Sequence, residues 1–321
     1  MLTAVYVLIG TIVGLATLIY ASFLAARYFF VQRFPDEVHY TTTSDGWRLA
    51  VTRYRPRQTG TLSSEPVLLV HGIAANRYNL DHTDELSLAR FLAERGYDVW
   101  MVELRGRGLS SAPRLFSGVG YEWTFDDYCE RDLPAAVGAF VQATAARRLH
   151  LVGFSTGALA SYAWLSDPHR EIEVISFVSI GGAGWFKRVE RALSGRLLRN
   201  LRWLRHRWML RVLAPISGYL NVSPLQLVYN SENIDGPVLR RALVNTVANF
   251  SRNELLQYSD WILNDQFRSI DHRRDYRAEL PRISVPTLFL AGARDMLSTP
   301  DMVKATYEAI ASGSSLSLSL S

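Results

Sequence analysis

One five-residue stretch, Gly153-Phe154-Ser155-Thr156-Gly157, constrains the fold more than any other part of the chain. It follows a short apolar run that predicts a buried strand, and it precedes small residues that predict a helix. A G-x-S-x-G sequence between a strand and a helix is typical of a sharp turn that holds the serine in a strained backbone conformation. Gly153 and Gly157 are then needed because strand and helix approach too closely for side chains. Ser155 is therefore the candidate nucleophile.

Composition restricts the class of protein. The chain has 321 residues, and 48% of them are hydrophobic, which suits a large packed core and not a disordered protein. The single cysteine, Cys129, rules out an intrachain disulfide, and we expect it to be a small buried residue. No group of His, Cys and Asp has the spacing of metal ligands, so we expect neither a metal nor another cofactor.

The first 26 residues predict a membrane anchor. They contain no charged side chain, and roughly 20 apolar helical residues span the hydrocarbon core of a bilayer. A cleaved signal peptide is the alternative, but no positively charged stretch comes first and the apolar run is longer than usual. We therefore predict a transmembrane anchor over residues 1–31. Arg27 and Arg33 follow the uncharged first 26 residues, which by the positive-inside rule puts the globular part on the cytoplasmic side.

The rest of the chain alternates strands and helices. A hairpin is predicted around Ser44-Asp45-Gly46, and later buried strands alternate with helical segments. This pattern predicts an α/β fold with a mostly parallel sheet flanked by helices. Residues 185–281 look mostly helical and interrupt the alternation, so they are predicted to be an inserted cap. The predicted core occupies residues 38–184 and 282–311, and a low-complexity tail, whose Ser/Leu alternation is also compatible with a strand, occupies residues 312–321.

A reactive serine needs a base, an acid that orients the base, and donors for the oxyanion. Thr156 starts the helix, so its backbone N–H is one predicted donor. The second is the N–H of Ile73, in the loop that begins His71-Gly72-Ile73 after a buried strand. We expect Gly72 to let the backbone lie close to the substrate and His71 to pack within the loop. Asp295 follows the strand at 287–291 and is the candidate acid.

These residues together resemble the α/β-hydrolases. The similarity is to the esterase/lipase branch, and the acid-lipase-like members look closest. It rests on the loop at His71, the segments at residues 103–110 and 132–135, the serine turn, and residues 292–295, and it covers roughly residues 38–310. The resemblance implies Ser155 as nucleophile, Asp295 as acid, and Ile73 and Thr156 as oxyanion donors. It implies structural roles for Arg105 and Asp132.

The general base is the element that the sequence does not supply. The family order places a histidine after a further strand and helix that follow the acid. No histidine follows Asp295 in the sequence, so no triad histidine is found, and the C-terminus looks truncated or frame-shifted. Among the other histidines, His272 lies in the cap, precedes Asp295 and could reach the site only by an unusual topology, and the rest have structural or surface interpretations. We therefore predict that the chain as printed is impaired in hydrolysis.

The segment from Lys187 to Arg211 carries most of the basic charge, with nine Lys or Arg residues and one acid. Apolar residues recur every three or four positions from Val189 to Trp208, which predicts one amphipathic basic helix. Contact with an anionic membrane surface and packing against the core are both compatible with this pattern. Because the basic charge is local and no nucleic-acid-binding module is evident, no nucleic-acid partner is predicted.

The combined prediction is a membrane-anchored serine hydrolase that cleaves a lipophilic carboxylic ester through an acyl-Ser155 intermediate. An acyltransferase or an amide hydrolase of the same fold is the alternative enzyme, because other acceptors can resolve the same acyl-enzyme. A non-catalytic, hydrolase-like membrane protein remains the third possibility, since the base is missing.

Overall fold

The computed structural model describes residues 2–58, 65–113, 120–187, 189, 194–202, 206–219, 229–230 and 232–310, and the backbone of 316–320. The chain divides into two compact units. The larger unit comprises Phe34–Leu204 and Ala248–Ser321, and the smaller unit comprises Met1–Arg33 and Arg205–Val247. The cap predicted at residues 185–281 is thus divided, because its middle part groups with the N-terminal helix.

The strands of the larger unit are β1 (Glu37–Thr42), β2 (Arg48–Tyr54), β3 (Val67–Val70), β4 (Val99–Glu103), β5 (Arg148–Phe154), β6 (Glu173–Ile180), β7 (Thr287–Ala291) and β8 (Leu316–Leu320). They form one sheet in the order β1-β2-β4-β3-β5-β6-β7-β8. β2 pairs antiparallel with β1 and β4, and all other neighbours pair parallel. The mostly parallel sheet confirms the predicted fold class. β8 pairs with β7, so the sheet extends into the segment described above as a low-complexity tail.

The helices are α1 (Leu2–Tyr28), α2 (Leu88–Glu94), α3 (Phe125–Asp127), α4 (Leu133–Thr144), α5 (Thr156–Leu165), α6 (Gly195–Leu201), α7 (His206–Leu213), α8 (Gly236–Asn245), α9 (Arg252–Asn264), α10 (Tyr276–Glu279) and α11 (Pro300–Ile310). A π-helical turn at Tyr128–Asp132 joins α3 to α4. Pro134 lies in the first turn of α4, directly after the π-helical turn, and cannot donate a hydrogen bond to a carbonyl of that turn.

The sheet has a core on each face because successive side chains of a strand point in opposite directions. Leu68 and Val70 of β3 join one apolar cluster, whereas Val67 and Leu69 join another. All four side chains are buried, which explains why β3 lacks a polar alternation in sequence. The central strands are therefore covered by helices on both faces, as the sequence predicts.

The smaller unit contains α1, α7 and α8. α1 is long and apolar enough to cross a membrane, and only Ala26 among its side chains is buried. Length and composition alone also fit a signal sequence. Ala26 packs in an apolar cluster with Ala214, between α7 and α8, and with Leu239, Leu243 and Val244 of α8.

The basic segment does not form the single helix predicted from its apolar period. α6 ends at Leu201, and α7 begins at His206 in the other unit. The prediction of one continuous helix is wrong, because Arg202, in the middle of the apolar repeat, lies in the turn that ends α6. The positions 188, 190–193 and 203–205, on which part of the prediction rests, lie outside the described residues.

Candidate active site

Ser155 occupies the sharp turn between β5 and α5. Its backbone has φ 52° and ψ −117°, in a region that residues with a side chain rarely adopt. A Cβ atom on Gly157 would lie 2.3 Å from the Val70 carbonyl oxygen, and one on Gly153 would lie 2.6 Å from the Ala158 Cα atom. Main chain occupies both positions, so no side chain fits. The structure thus has the geometry expected of the serine turn, and Ser155 itself is half-buried.

Thr156 is the first residue of α5, so its backbone N–H has no acceptor within the helix. Its side chain is buried, and the Thr156 Oγ1 atom lies 2.6 Å from the Tyr258 hydroxyl oxygen. Tyr258 belongs to α9, and burial raises the pKa of its phenol well above the ordinary value. The neutral phenol therefore holds the residue whose N–H is the predicted oxyanion donor.

The loop after β3 runs beside the serine turn. The Gly72 N–H donates to the Asn79 side-chain oxygen at 2.9 Å, and a Cβ on Gly72 would lie 2.9 Å from the Phe154 ring. Gly72 thus allows close packing on the residue before Ser155. Ile73, the predicted second donor, follows in a turn and is partly buried against the core.

His71 is fully buried and uses both of its ring nitrogens within the larger unit. The Nδ1 atom lies 2.9 Å from the Gly72 carbonyl oxygen, and the Leu104 N–H donates to the Nε2 atom at 3.2 Å. Burial lowers the pKa of His71 to about 4. This neutral, doubly hydrogen-bonded imidazole supports the loop.

Asp295 lies at the same sheet edge as Ser155. The Ser155 N–H donates to the Ile180 carbonyl at the end of β6, at 2.7 Å, and a Cβ on the next residue, Gly181, would lie 3.8 Å from the Asp295 Oδ2 atom. The Oδ1 atom accepts hydrogen bonds from the Leu297 and Ser298 N–H groups, each at 2.8 Å. The carboxylate is therefore fixed through one oxygen while the other faces the end of β6.

The remaining histidines lie on several different elements. His150 is five residues before Ser155 on β5, roughly 16 Å away at the rise of an extended strand. His39 is on the edge strand β1, and His206 belongs to the smaller unit. His272, the substitute considered from the sequence, sits in an exposed turn after α9 with φ 61°. The absence of an identified triad histidine therefore stays a prediction.

A buried charged network joins α9 to the loop after β4. The Arg107 Nη2 atom donates to the Glu254 Oε2 atom at 2.9 Å and to the Tyr128 hydroxyl at 3.0 Å. Tyr128 donates in turn to the Glu254 Oε1 atom at 3.0 Å. Glu254 and Tyr258 lie one turn apart on the same side of α9. The sequence analysis missed the contacts of Glu254 and Tyr258, because their partners lie more than a hundred positions away in the chain.

Arg105 and Asp132 form a second buried network. The Arg105 N–H and Nε groups donate to the two Asp132 carboxylate oxygens at 2.9 and 2.8 Å. The Arg105 Nη1 atom also donates to the Asp45 carboxylate, at 2.7 Å, in the turn between β1 and β2. The pair therefore ties the hairpin, the loop after β4 and the start of α4 together.

The residues that the structure describes include no group of three or more His, Cys, Asp or Glu side chains able to hold a metal ion. Cys129 is buried, and burial raises the pKa of its thiol well above the ordinary value.

The chain is similar in sequence to known lipases. The chain is similar to human gastric triacylglycerol lipase, with 31% identity over 46% of this chain and 39% of the lipase, and thus spans less than half of that relative. It is 24% identical to human lipase member M over 85% of this chain and 74% of that protein. These relatives agree with the lipase branch that the sequence resembles.

Solved structures share the fold. An esterase from Exiguobacterium antarcticum is 20% identical with a TM-score of 0.53, covering 88% of this chain and 90% of that chain. A bacterial membrane phospholipase A is 22% identical with a TM-score of 0.52, covering 99% and 90%. Residues 65–312 match the family model described as the alpha/beta hydrolase fold. With more than half of its length matched and its sheet mostly parallel, the chain belongs to the α/β-hydrolase fold family.

Proposed function

We propose that this protein is a membrane-anchored serine esterase or lipase that cleaves a carboxylic ester through an acyl-Ser155 intermediate. The observation that carries the proposal is the strained backbone of Ser155 between two glycines that no larger residue can replace. Such strain is costly, and it presents the hydroxyl at the carboxyl edge of the sheet. The lipase and esterase names of the relatives support ester hydrolysis as the reaction.

In the proposed reaction, the Ser155 Oγ atom attacks the ester carbonyl carbon while its proton passes to a base. The negative charge on the carbonyl oxygen is stabilised by the Thr156 and Ile73 N–H groups. The C–O bond then breaks, and the alcohol leaves with the proton from the base. Water attacks the acyl-serine by the same route and releases the acid. Asp295 orients the base, which is the role that its fixed Oδ1 and available Oδ2 atoms support.

The base is the unassigned part of this site. In the family order it follows a strand and helix after the acid, and α11 and β8 are elements of these kinds. The printed residues after Asp295 contain no histidine. We therefore propose that residues 1–321 by themselves hold no efficient general base for Ser155.

Imidazole rescue tests both claims. Residues 1–321, purified in detergent, should hydrolyse a soluble p-nitrophenyl ester slowly, and added imidazole should raise the rate by acting as the base. After the rate of ester hydrolysis by imidazole without protein is subtracted, Ser155→Ala should abolish both the basal and the imidazole-dependent rate. Ser111→Ala, which removes an exposed hydroxyl, is the matched control and should behave like the parent. A fast rate that imidazole does not change would contradict the missing base, and an unaffected Ser155→Ala variant would contradict the nucleophile.

The membrane part of the proposal rests on α1, whose apolar surface is exposed over almost its whole length. A lipophilic ester dissolved in the bilayer is the substrate class that such an anchor favours. Arg27, in the last turn of α1, and Arg33, after the helix, support a cytoplasmic globular part. Proteolysis of intact cells and of sealed vesicles that keep the cytoplasmic face inside tests sidedness. Protection of the globular part from external protease is expected, and its cleavage from outside would contradict a cytoplasmic location.

Two alternative activities, acyl transfer and amide hydrolysis, would use the same acyl-enzyme, and the same assay with other acceptors or substrates separates them. Transfer to an added alcohol or amine faster than to water would indicate an acyltransferase, and cleavage of anilides in preference to esters would indicate an amide hydrolase. If Ser155 stays unreactive with imidazole and in any longer form of the protein, a non-catalytic hydrolase-like membrane protein is the better description.

A further inference from the structure

The smaller unit exposes a set of large apolar side chains beyond the membrane-spanning helix. These residues lie on α7 and on the turns that follow it, and we call them the apolar face: Trp208, Met209, Leu213, Ile216 and Tyr219. Trp208 is 51% exposed and Tyr219 is 75% exposed. Neighbouring apolar residues exposed on one small unit are unusual on a water-soluble surface and indicate a contact.

Trp208 and Met209 lie off the side of α7 that packs inside the unit, whereas Leu213, the last residue of the helix, lies near that side and is 37% exposed. His206 is buried, Leu210 packs on the apolar cluster, and Ala214 follows at the same four-residue spacing and is fully buried. At 100° per residue, Trp208 lies roughly 160–200° around the helix from His206 and Leu210, and Met209 lies roughly 60–100° from them. Arg207, between Trp208 and the buried side, is exposed, whereas the half-buried Arg211 donates through its Nε atom to the Val244 carbonyl oxygen at 3.0 Å.

The apolar face is held next to the end of α1 by contacts within the smaller unit. The Asn245 side chain on α8 donates to the Phe29 carbonyl oxygen and accepts from the Val31 N–H, both at 2.9 Å. Ala26 of α1 packs between α7 and α8. The residues where the apolar span ends are therefore fixed to the elements that carry the apolar face.

An arginine links the two regions directly. The Arg240 guanidinium lies 4.6 Å from the Tyr219 ring centroid and 5.4 Å from that of Phe29, and its Nη1 atom donates to the Ser217 carbonyl at 2.9 Å. Tyr219 is thus placed beside the residue that follows α1. Tyr28 and Phe30, on either side of Phe29, are themselves exposed.

We infer that the smaller unit inserts its apolar face into the lipid–water interface of the bilayer that α1 crosses. This inference rests on the proposed membrane anchor and adds a second contact to it. Trp and Tyr side chains favour the headgroup level, where an apolar ring and a polar tip are both accommodated. The exposed Arg207 beside Trp208 suits anionic headgroups. The contact holds residues 205–247 of the predicted cap at the surface from which a lipophilic ester would come.

Spin-label depth measurements on the full chain test the inference without relying on catalysis. The only native cysteine, Cys129, is buried, so single cysteines can be introduced at Met209→Cys and Ile216→Cys and labelled selectively. Arg241→Cys, at an exposed charged position on α8 in the same unit, is the matched control. The proteins are reconstituted in vesicles of phosphatidylcholine with phosphatidylglycerol.

Labels at 209 and 216 should collide more with oxygen, which concentrates in lipid, than with an aqueous nickel chelate, whereas the label at 241 should show the reverse. If all three labels favour the nickel chelate while the protein floats with the vesicles, the apolar face is not membrane-bound but the anchor stands. If the protein does not float with the vesicles after extraction at high pH, the anchor and the inference both fail. Loss of hydrolysis alone overturns neither.

Discussion

The contact between Tyr258 and Thr156 gives the sharpest mutational prediction, because it connects α9 to the serine turn through one hydrogen bond of 2.6 Å. Tyr258→Phe keeps the ring, which packs on Trp261 with a centroid distance of 4.8 Å, and removes only the hydroxyl. The buried Thr156 hydroxyl then loses its partner. A lost hydrogen bond with a stranded polar group costs about 1–3 kcal/mol, so we expect the free energy of unfolding to fall by that amount.

Denaturant unfolding of the parent, the two single variants and the double variant measures this coupling. Thr156→Val removes the other hydroxyl and keeps the backbone N–H. Because neither hydroxyl is stranded in the double variant, its loss should be smaller than the sum of the two single losses by about 1 kcal/mol or more. Tyr219→Phe, at an exposed tyrosine, should change stability by less than about 0.5 kcal/mol. Additive losses in the cycle would refute the reasoning.

Three further predictions concern groups around the site. His71 is buried with a pKa of about 4 against an ordinary value of 6.5, so the unfolded chain binds this proton more readily between these values. Acidification from pH 6.5 to 4 should therefore lower the free energy of unfolding by about 3 kcal/mol through this group. His71→Gln should flatten the dependence of that free energy on pH, measured by denaturant unfolding, whereas His169→Gln, at an exposed site, should not. Asp132→Ala leaves the buried Arg105 guanidinium without its main partner and should lower the free energy of unfolding by about 3 kcal/mol; a change below about 1 kcal/mol would contradict a structural role for the pair. Gly157→Ala places a Cβ atom 2.3 Å from the Val70 carbonyl oxygen and should prevent accumulation of folded protein. Gly138→Ala, whose Cβ atom would meet nothing within 4 Å, should raise the unfolding temperature slightly. Equal tolerance of both changes would be inconsistent with the serine-turn geometry.

The parts of the fold that the sequence predicts well are those whose physical cause is local. The serine turn is specified within five residues, because Gly153 and Gly157 meet main chain and Ser155 takes the strained conformation between them. The buried strands are readable because both faces of the sheet are covered, which removes the polar alternation. The hairpin around Gly46 can be predicted because its turn needs a left-handed backbone conformation, with φ 88°, which glycine adopts readily.

The contacts that the sequence does not predict join residues far apart in the chain. Thr156 and Tyr258 are separated by 102 positions, and Arg107 and Glu254 by 147. No pattern around Tyr258 distinguishes a residue that supports the serine turn from an ordinary buried aromatic. Such pairs become visible only when the chain is folded, since packing and not local preference brings them together.

The basic segment shows the opposite error, because its regular apolar spacing predicts a longer helix than the structure contains. The apolar period continues from Val189 to Trp208, but α6 ends at Leu201. Periodicity reports which side chains are suited to burial and does not specify where a helix ends.

The central claim is that Ser155 is the nucleophile, and covalent labelling tests it most directly. The full chain is incubated with a fluorophosphonate, with and without imidazole, and the modified peptide is identified by mass spectrometry. The structure predicts a single modified peptide containing Ser155, slow labelling of residues 1–321 that imidazole accelerates, and no labelling of Ser155→Ala. Modification of a different serine, or labelling that persists in Ser155→Ala, would contradict the account.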